Sequence, residues 1–240
     1  MERNIKKFIR KKNVICVELT KPGDRFGIFD NMLYLNYAIS KNDNIFQIII
    51  KSDKYLSVVL RYKLYSYENI DILSYANECS IFIDHINKKN MMSIIDKPIN
   101  LQKLTVDYVN IKDADIIDKL YEKENIKYIG ILCSINIELC YIYQIIKIKS
   151  LDVLHLRDET SGSISIENIL NILWYVITNL NKDIKIEISS IRSRDYRETE
   201  YYLKLISYNF KVNENNYIFT YIPTQVTKFN YFYDFNLYYK

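Results

Sequence analysis

The chain has 240 residues, 49% of them hydrophobic and 26% charged, which is ample core material for one large domain or two small ones. Its formal charge is only +4, from 33 Lys and Arg against 29 Asp and Glu, so the overall field does not by itself mark a nucleic-acid-binding protein. Two histidines exclude a histidine-rich metal site, and no apolar run reaches the roughly 20 residues that span a bilayer.

The first element is a basic amphipathic helix, in which Arg3, Lys6, Lys7, Arg10, Lys11 and Lys12 surround Ile5, Phe8 and Ile9. Its narrow apolar stripe is either a docking side on the protein itself or the back of a cationic face for nucleic acid or another anionic partner. Val14 to Leu19 then reads as a strand, followed by a turn at Pro22-Gly23. Gly23 to Gly27 is too short and unaccompanied to mean more than that turn. Ile45 to Ile50 and Leu56 to Tyr62 are apolar and β-branched enough for strands, Glu68 to Ala76 fits a helix, and Ser80 to Ile86 fits a further strand. No repeat of fixed period stands out. The best boundary is Lys97-Pro98-Ile99-Asn100, after the polar stretch Asn87 to Asn90, because proline disfavours helix at the residue before it. This gives an α/β region over 1–98 and a second domain over 99–240.

Leu104 to Val109 is the next strand, and Lys112-Asp113-Ala114-Asp115 opens a helix whose apolar stripe is Ile116, Ile117, Leu120 and Tyr121. Tyr128 to Ile135 and Cys140 to Ile148 read as two strands joined around Asn136, and Leu151 to Leu156 as a third. Ile166, Ile169, Leu170, Leu173, Trp174 and Ile177 follow at i, i+3, i+4, i+7, i+8 and i+11, which places them on a single helical face. Ser163 or Ser165 can cap that helix, and Asn179 to Asp183 ends it. Ile184, Ile186 and Ile188 alternate with Lys185 and Glu187 as a half-buried strand. A polar helix from about Asp195 to Ser207 and a hairpin of Phe210–Val212 with Tyr217–Tyr221 complete the pattern. In the tail, Phe229, Tyr231, Tyr233, Phe235, Leu237 and Tyr239 recur at every second position, so a strand there carries them on one face. That face either completes the protein's own sheet or docks a protein partner.

Cys16, Cys79, Cys133 and Cys140 form no C-x-x-C pair and sit in or beside apolar stretches, as reduced thiols do. With no secretory leader in the sequence, a cytoplasmic protein is expected. The abundance of Ile, Lys, Asn and Tyr beside 4 glycines and 3 prolines is that of an A+T-rich coding genome, such as a large DNA virus, a parasite or an extrachromosomal element.

From Leu104 to Tyr221 the expected order is β-α-β-β-β-α-β-α-β-β. With its segment lengths, this resembles the GNAT acetyltransferase superfamily over about half the chain. The resemblance implies an α/β (α+β) fold whose mixed sheet is flanked by helices and opened between two parallel strands to admit acetyl-CoA. The family's pyrophosphate turn, R/Q-x-x-G-x-G/A, exposes backbone N–H groups at a helix start, where donors and dipole favour an anion. Here the matching stretch is Asp158 to Ile166, with Ser161, Gly162, Ser163 and Ser165 as its small residues. The resemblance also assigns the amides around Leu154 and Leu156 to the thioester carbonyl and Tyr202 to protonating the departing thiolate. Glu187 and His155 are the available general bases toward an amine. Against these, Glu159 stands where Arg or Gln is expected, Asp158 adds a second carboxylate, and Tyr208-Asn209-Phe210 lacks the family's Gly-Phe pair. Two functions follow: a non-catalytic interaction or assembly subunit, docking through its aromatic tail, or an acyl-CoA-dependent N-acetyltransferase with acetyl-CoA as its cofactor. Neither requires a metal or a membrane.

Overall fold

The computed structural model describes residues 2–20, 27–29, 32–36, 44–61, 70–160, 163–190, 210–213 and 216–221. It is mixed α/β, and the chain divides into two compact units, Met1–Gly130 and Ile131–Lys240. The segment 97–100 lies inside the first of these. The expected turn at Pro22-Gly23, the helix at 195–207 and the aromatic tail lie outside the described residues.

The first unit opens with α1 (Glu2–Lys11), β1 (Val14–Thr20), β2 (Gly27–Phe29), β3 (Met32–Asn36), α2 (Asn44–Ile50) and β4 (Tyr55–Leu60). A 3-10 helix (Asp71–Tyr75), β5 (Glu78–Ile81), α3 (Lys88–Asp96), β6 (Lys103–Asp107), α4 (Tyr108–Ile111) and α5 (Ala114–Tyr121) follow, before β7 (Tyr128–Cys133) carries the chain into the second unit. Strand order in the first unit is β2-β3-β1-β4-β5-β6. All neighbouring pairs are parallel except β2 with β3. β1 pairs with β4, from β4 through β5 to β6 each strand pairs with the next in the chain, and α3 packs against α5. Right-handed crossovers between sequential parallel strands place their helices on a common side. On the opposite face, among the described residues, Glu78, Lys103, Thr105, Tyr128 and Phe82 are partly or fully exposed, whereas Ser57, Val59 and Ser80 are buried.

Glu78, Lys103, Tyr128 and Val153 open four successive strands 25 residues apart. The chain therefore does contain a fixed-period repeat, contrary to the sequence reading, and its period is typical of strand-plus-helix repeats. Equivalent positions are equivalent in packing. Ala76, Leu101, Ile126 and Leu151 precede the strands; Cys79, Leu104, Ile129 and Leu154, then Ile81, Val106, Ile131 and Leu156, fill their inward face, and all twelve are at most 1% exposed. A turn at 99–100, 124–125 and 149–150 resets the chain before each of three strands. Gln102 N–H donates to Asn77 O at 2.7 Å and Lys127 N–H to Gln102 O at 2.8 Å, the same bond one repeat later.

Asn110 fastens one repeat to the one before it. It is 3% exposed, its amide donates to Ile83 O at 2.6 Å, and its carbonyl oxygen accepts from Ile86 N–H at 2.8 Å. Between these two backbone groups His85 has φ of 52°, a left-handed conformation unusual for a residue with a Cβ. The side chain thus satisfies polar backbone that the turn exposes to the core.

Several expected elements differ. Ile45–Ile50 and most of Cys140–Ile148 are helices, not strands, and the polar stretch at Asn87 is the cap of α3. In α2 the buried residues are Ile45, Phe46 and Ile49, spaced for one helical face; packing there overrides the β preference of isoleucine. The strand expected over Ser80–Ile86 ends at Ile81. That expected to reach Val109 ends at Asp107, whose carboxylate accepts from Val109 N–H at 3.0 Å and starts α4.

The second unit contains the end of β7, α6 (Leu139–Ile146), β8 (Val153–Asp158), α7 (Ile166–Asn179), β9 (Ile184–Ser190), β10 (Phe210–Asn213) and β11 (Asn216–Tyr221). β8 and β9 are parallel, and β11 pairs antiparallel with both β9 and β10. Ser165 caps α7 by accepting from Asn168 N–H at 3.1 Å. Ile169, Leu170, Ile172, Leu173 and Val176 are buried, each contributing about 1.5–3 kcal/mol of apolar transfer. α6 packs on α7, with Tyr143 stacked on Tyr175 at 4.1 Å between ring centres.

Candidate functional site

Alternation on β8 and β9 sorts their side chains by face. Leu154, Leu156, Ile184, Ile186 and Ile188 point into the core, so His155, Arg157, Lys185, Glu187 and Ser189 point the other way. Parallel register sets His155 beside Glu187, Arg157 beside Ser189 and Val153 beside Lys185. The two bases named from the sequence, His155 and Glu187, are therefore brought together. Lys185 and Ser189 join them, and period-2 spacing from Glu187 was the signal that could have found both.

The geometry of this cluster is that of a polar patch. His155 Nε2 lies 2.7 Å from Ser189 Oγ, a hydrogen bond of nucleophile-and-base type. Glu187 does not complete such a constellation, because its Oε2 is 3.9 Å from His155 Nδ1, beyond hydrogen-bonding reach. The other carboxylate oxygen is held by Lys185 Nζ at 2.5 Å. Arg157 turns to Glu159, with Nε 2.9 Å from Oε1. Opposite charges thus alternate along neighbouring strands, each satisfied by its neighbour.

The serine-rich turn is used internally. Ser163 is 2% exposed, with its hydroxyl 2.5 Å from Cys133 O and 2.7 Å from Asp158 Oδ1. Asp158 is itself buried, and Glu159 N–H donates to Cys133 O, which fastens the turn to the end of β7. Ser165 serves its own helix as the cap. The side chains of Leu154 and Leu156 are fully buried. β8 lies between β7 and β9, and it pairs with β9 without interruption from Val153↔Lys185 to Asp158↔Ser190. The expected opening between these strands is absent over that length, because a continuous parallel ladder engages the amides that a thioester carbonyl would need. Tyr202, Ser161 and Gly162 lie outside the described residues.

A second polar row crosses the sheet of the first unit on the face opposite Cys79, Ile81, Leu104 and Val106. Glu78 Oε1 is 3.0 Å from Lys103 Nζ, and that ammonium sits 4.8 Å from the centre of the Tyr128 ring. Beside it, Arg61 pairs with Glu18 at 3.3 Å and covers the Phe82 ring at 4.9 Å. Phe82 is 40% exposed, a large apolar side chain left at the surface. Sequence reading missed this row because it is visible only once β4, β5 and β6 are set side by side.

Among the described residues no group of His, Cys, Asp and Glu could hold a metal ion, and no helix is long and apolar enough to cross a membrane. No protein-family model matches the chain, and neither the characterised proteins nor the solved structures contain a match to it.

Proposed function

We propose that this chain is a non-catalytic interaction or assembly subunit that binds a protein partner on the sheet face of its first unit that carries Glu78, Lys103, Thr105 and Phe82. The observation that carries this reading is the repeat. Leu101-x-x-Leu104-x-Val106 and Leu151-x-x-Leu154-x-Leu156 have the spacing used by leucine-rich repeat proteins, in which stacked strands leave one sheet face for partners. The face offers paired charges, Thr105, and the Phe82–Arg61 stack, a mixture of aromatic and arginine contacts of the kind that dominate binding energy at interfaces. The aromatic tail remains a second docking element in this reading, and the GNAT-like origin of residues 104–221 is not needed for it.

The alternative, an acyl-CoA-dependent N-acetyltransferase, draws on the expected element order and on His155 and Glu187 lying together. It needs a cofactor seat that the paired β8–β9 ladder and the inward Ser163 do not offer. Two experiments separate the readings. Titration with acetyl-CoA to 100 times a typical dissociation constant would stabilise a true binder by about 2.7 kcal/mol, so an unchanged melting temperature supports the binding role and a clear rise defeats it. In native complexes, the pair Lys103→Glu and Thr105→Arg releases the partner, whereas Asp118→Lys on α5 does not. Retention of the partner by the sheet-face variant would overturn the assignment of the surface.

A further inference from the structure

We propose that the outer face of α1 docks the phosphate backbone of a nucleic acid. Arg3, Lys6, Lys7, Arg10 and Lys11 occupy i, i+3, i+4, i+7 and i+8, and all five are exposed. At 100° per residue these positions fall within an arc of about 140°, and their ends are about 12 Å apart along the axis. Ile5 and Ile9, on the opposite side, are 1% and 5% exposed, so the protein holds the helix by its apolar edge and turns the cations outward.

None of these five side chains forms an ion pair with a described residue. The charge is also concentrated there. Residues 1–12 hold six of the 33 cations and one of the 29 carboxylates, which leaves the rest of the chain with 27 against 28. This one helix and Lys12 therefore carry +5, and the rest of the chain is close to balanced at −1. A stripe of exposed guanidinium and ammonium groups with no ionic partner among the described residues complements a linear polyanion, with each contact releasing a condensed counterion.

A lipid surface is the less suitable partner. An interfacial helix binds by sinking an apolar face into the headgroup region, and the apolar face of α1 is already buried in the protein. Only Phe8 remains partly accessible, and Lys12 lies 5.9 Å from its ring centre. The contacts are to phosphate, so binding is not sequence-selective.

The test is fluorescence anisotropy of the full chain with labelled single-stranded and duplex oligonucleotides of mixed sequence across a salt series. Phosphatidylcholine/phosphatidylserine vesicles and poly-glutamate serve as competing anions. Neutralising four to five phosphates predicts a slope of log K against log salt of about −4 on duplex and about −3 on single strands. That slope means roughly a 200-fold loss of duplex affinity between 50 and 200 mM salt. Replacing Arg3, Lys6, Lys7, Arg10 and Lys11 by Gln abolishes binding while the far-UV spectrum and unfolding midpoint stay as in the wild type, since every replaced group is exposed. Should that variant fail to fold, the wild-type salt slope decides alone. Unchanged binding by a folded Gln variant, a slope near zero, no binding at low salt, or equal or tighter binding to the vesicles or poly-glutamate would each overturn the proposal.

Discussion

Replacing Asn110 by Ala tests whether consecutive repeats of the first unit are joined through a buried side chain. The substitution removes the donor to Ile83 O and the acceptor for Ile86 N–H, at 2.6 and 2.8 Å, in a setting where Asn110 is 3% exposed. Each backbone group stranded without a partner costs roughly 1–3 kcal/mol, so a loss of about 3 kcal/mol is expected. For a chain of this length that corresponds to a fall of about 6–12 °C in melting temperature. Urea unfolding gives the free energy, and hydrogen exchange at the Ile86 amide localises it. Asn110→Asp sharpens the test, because it retains the acceptor for Ile86 but sets a carboxylate against the Ile83 carbonyl. That environment raises the folded pKa of the new carboxyl, so stability is fullest at low pH and declines as pH rises through the folded value. A loss under 0.5 kcal/mol for the Ala variant, with unchanged protection at Ile86, would refute the reasoning.

Three further outcomes follow from local geometry. A Cβ on Gly130 would lie 3.1 Å from Tyr128 Cε1 and 3.2 Å from Thr105 Oγ1, so Gly130→Ala should cost about 1 kcal/mol by thermal unfolding; adding Tyr128→Ala should recover part of it. Burial pushes the Cys79 thiol up to about 12 from 9.0, so an alkylating agent at pH 8 should modify exposed Cys140 and leave Cys79 untouched until the chain is unfolded. The stability this thiol contributes is complete below pH 9 and is lost as pH rises toward 12, which alkaline unfolding of Cys79→Ala against the wild type would show as a reduced pH dependence. Asp113 caps α5 by accepting from Asp115 N–H at 2.9 Å, and Asp113→Ala should cost about 1 kcal/mol. Burial raises the Asp113 carboxyl, but the Lys88 contact and two backbone donors outweigh it and hold it below 3.8, so this contribution persists above that pH and disappears as pH falls through the folded value.

Legibility in the sequence followed how plainly each segment displayed its period. α7 was readable because its apolar residues keep helical spacing over more than three turns and Ser165 precedes them. β9 was readable because Ile184, Ile186 and Ile188 alternate with charged residues. α6 was not, because Leu139-Cys-Tyr-Ile-Tyr-Gln-Ile-Ile146 is rich in the β-branched and aromatic residues of strands. Its helical signal was Ile142, Ile145 and Ile146, at i, i+3 and i+4, all buried. Reading that helix as a strand, and placing no helix after the polar stretch at Asn87, concealed the 25-residue period. The same misreading supplied the extra strand on which the expected acyltransferase order depended. The repeat was also masked by chemistry: Cys79, Leu104, Ile129 and Leu154 do equivalent work with dissimilar names. At the candidate site, His155 and Glu187 were legible as polar residues on adjoining strands, but their partnership with Ser189 and Lys185 depends on a register that no local pattern encodes.

The hydrogen bond from Gln102 to Asn77, renewed from Lys127 to Gln102, has an evolutionary corollary. Each module offers its successor the same acceptor that it has itself bonded in its predecessor, so the junction is indifferent to how many modules stand in the row. Duplicating residues 76–100 in the gene would insert a cassette whose two ends already match what they must join. Relatives that differ from this chain by multiples of 25 residues are therefore the variants that such a junction most readily permits, and the protein can lengthen its row without redesigning its core.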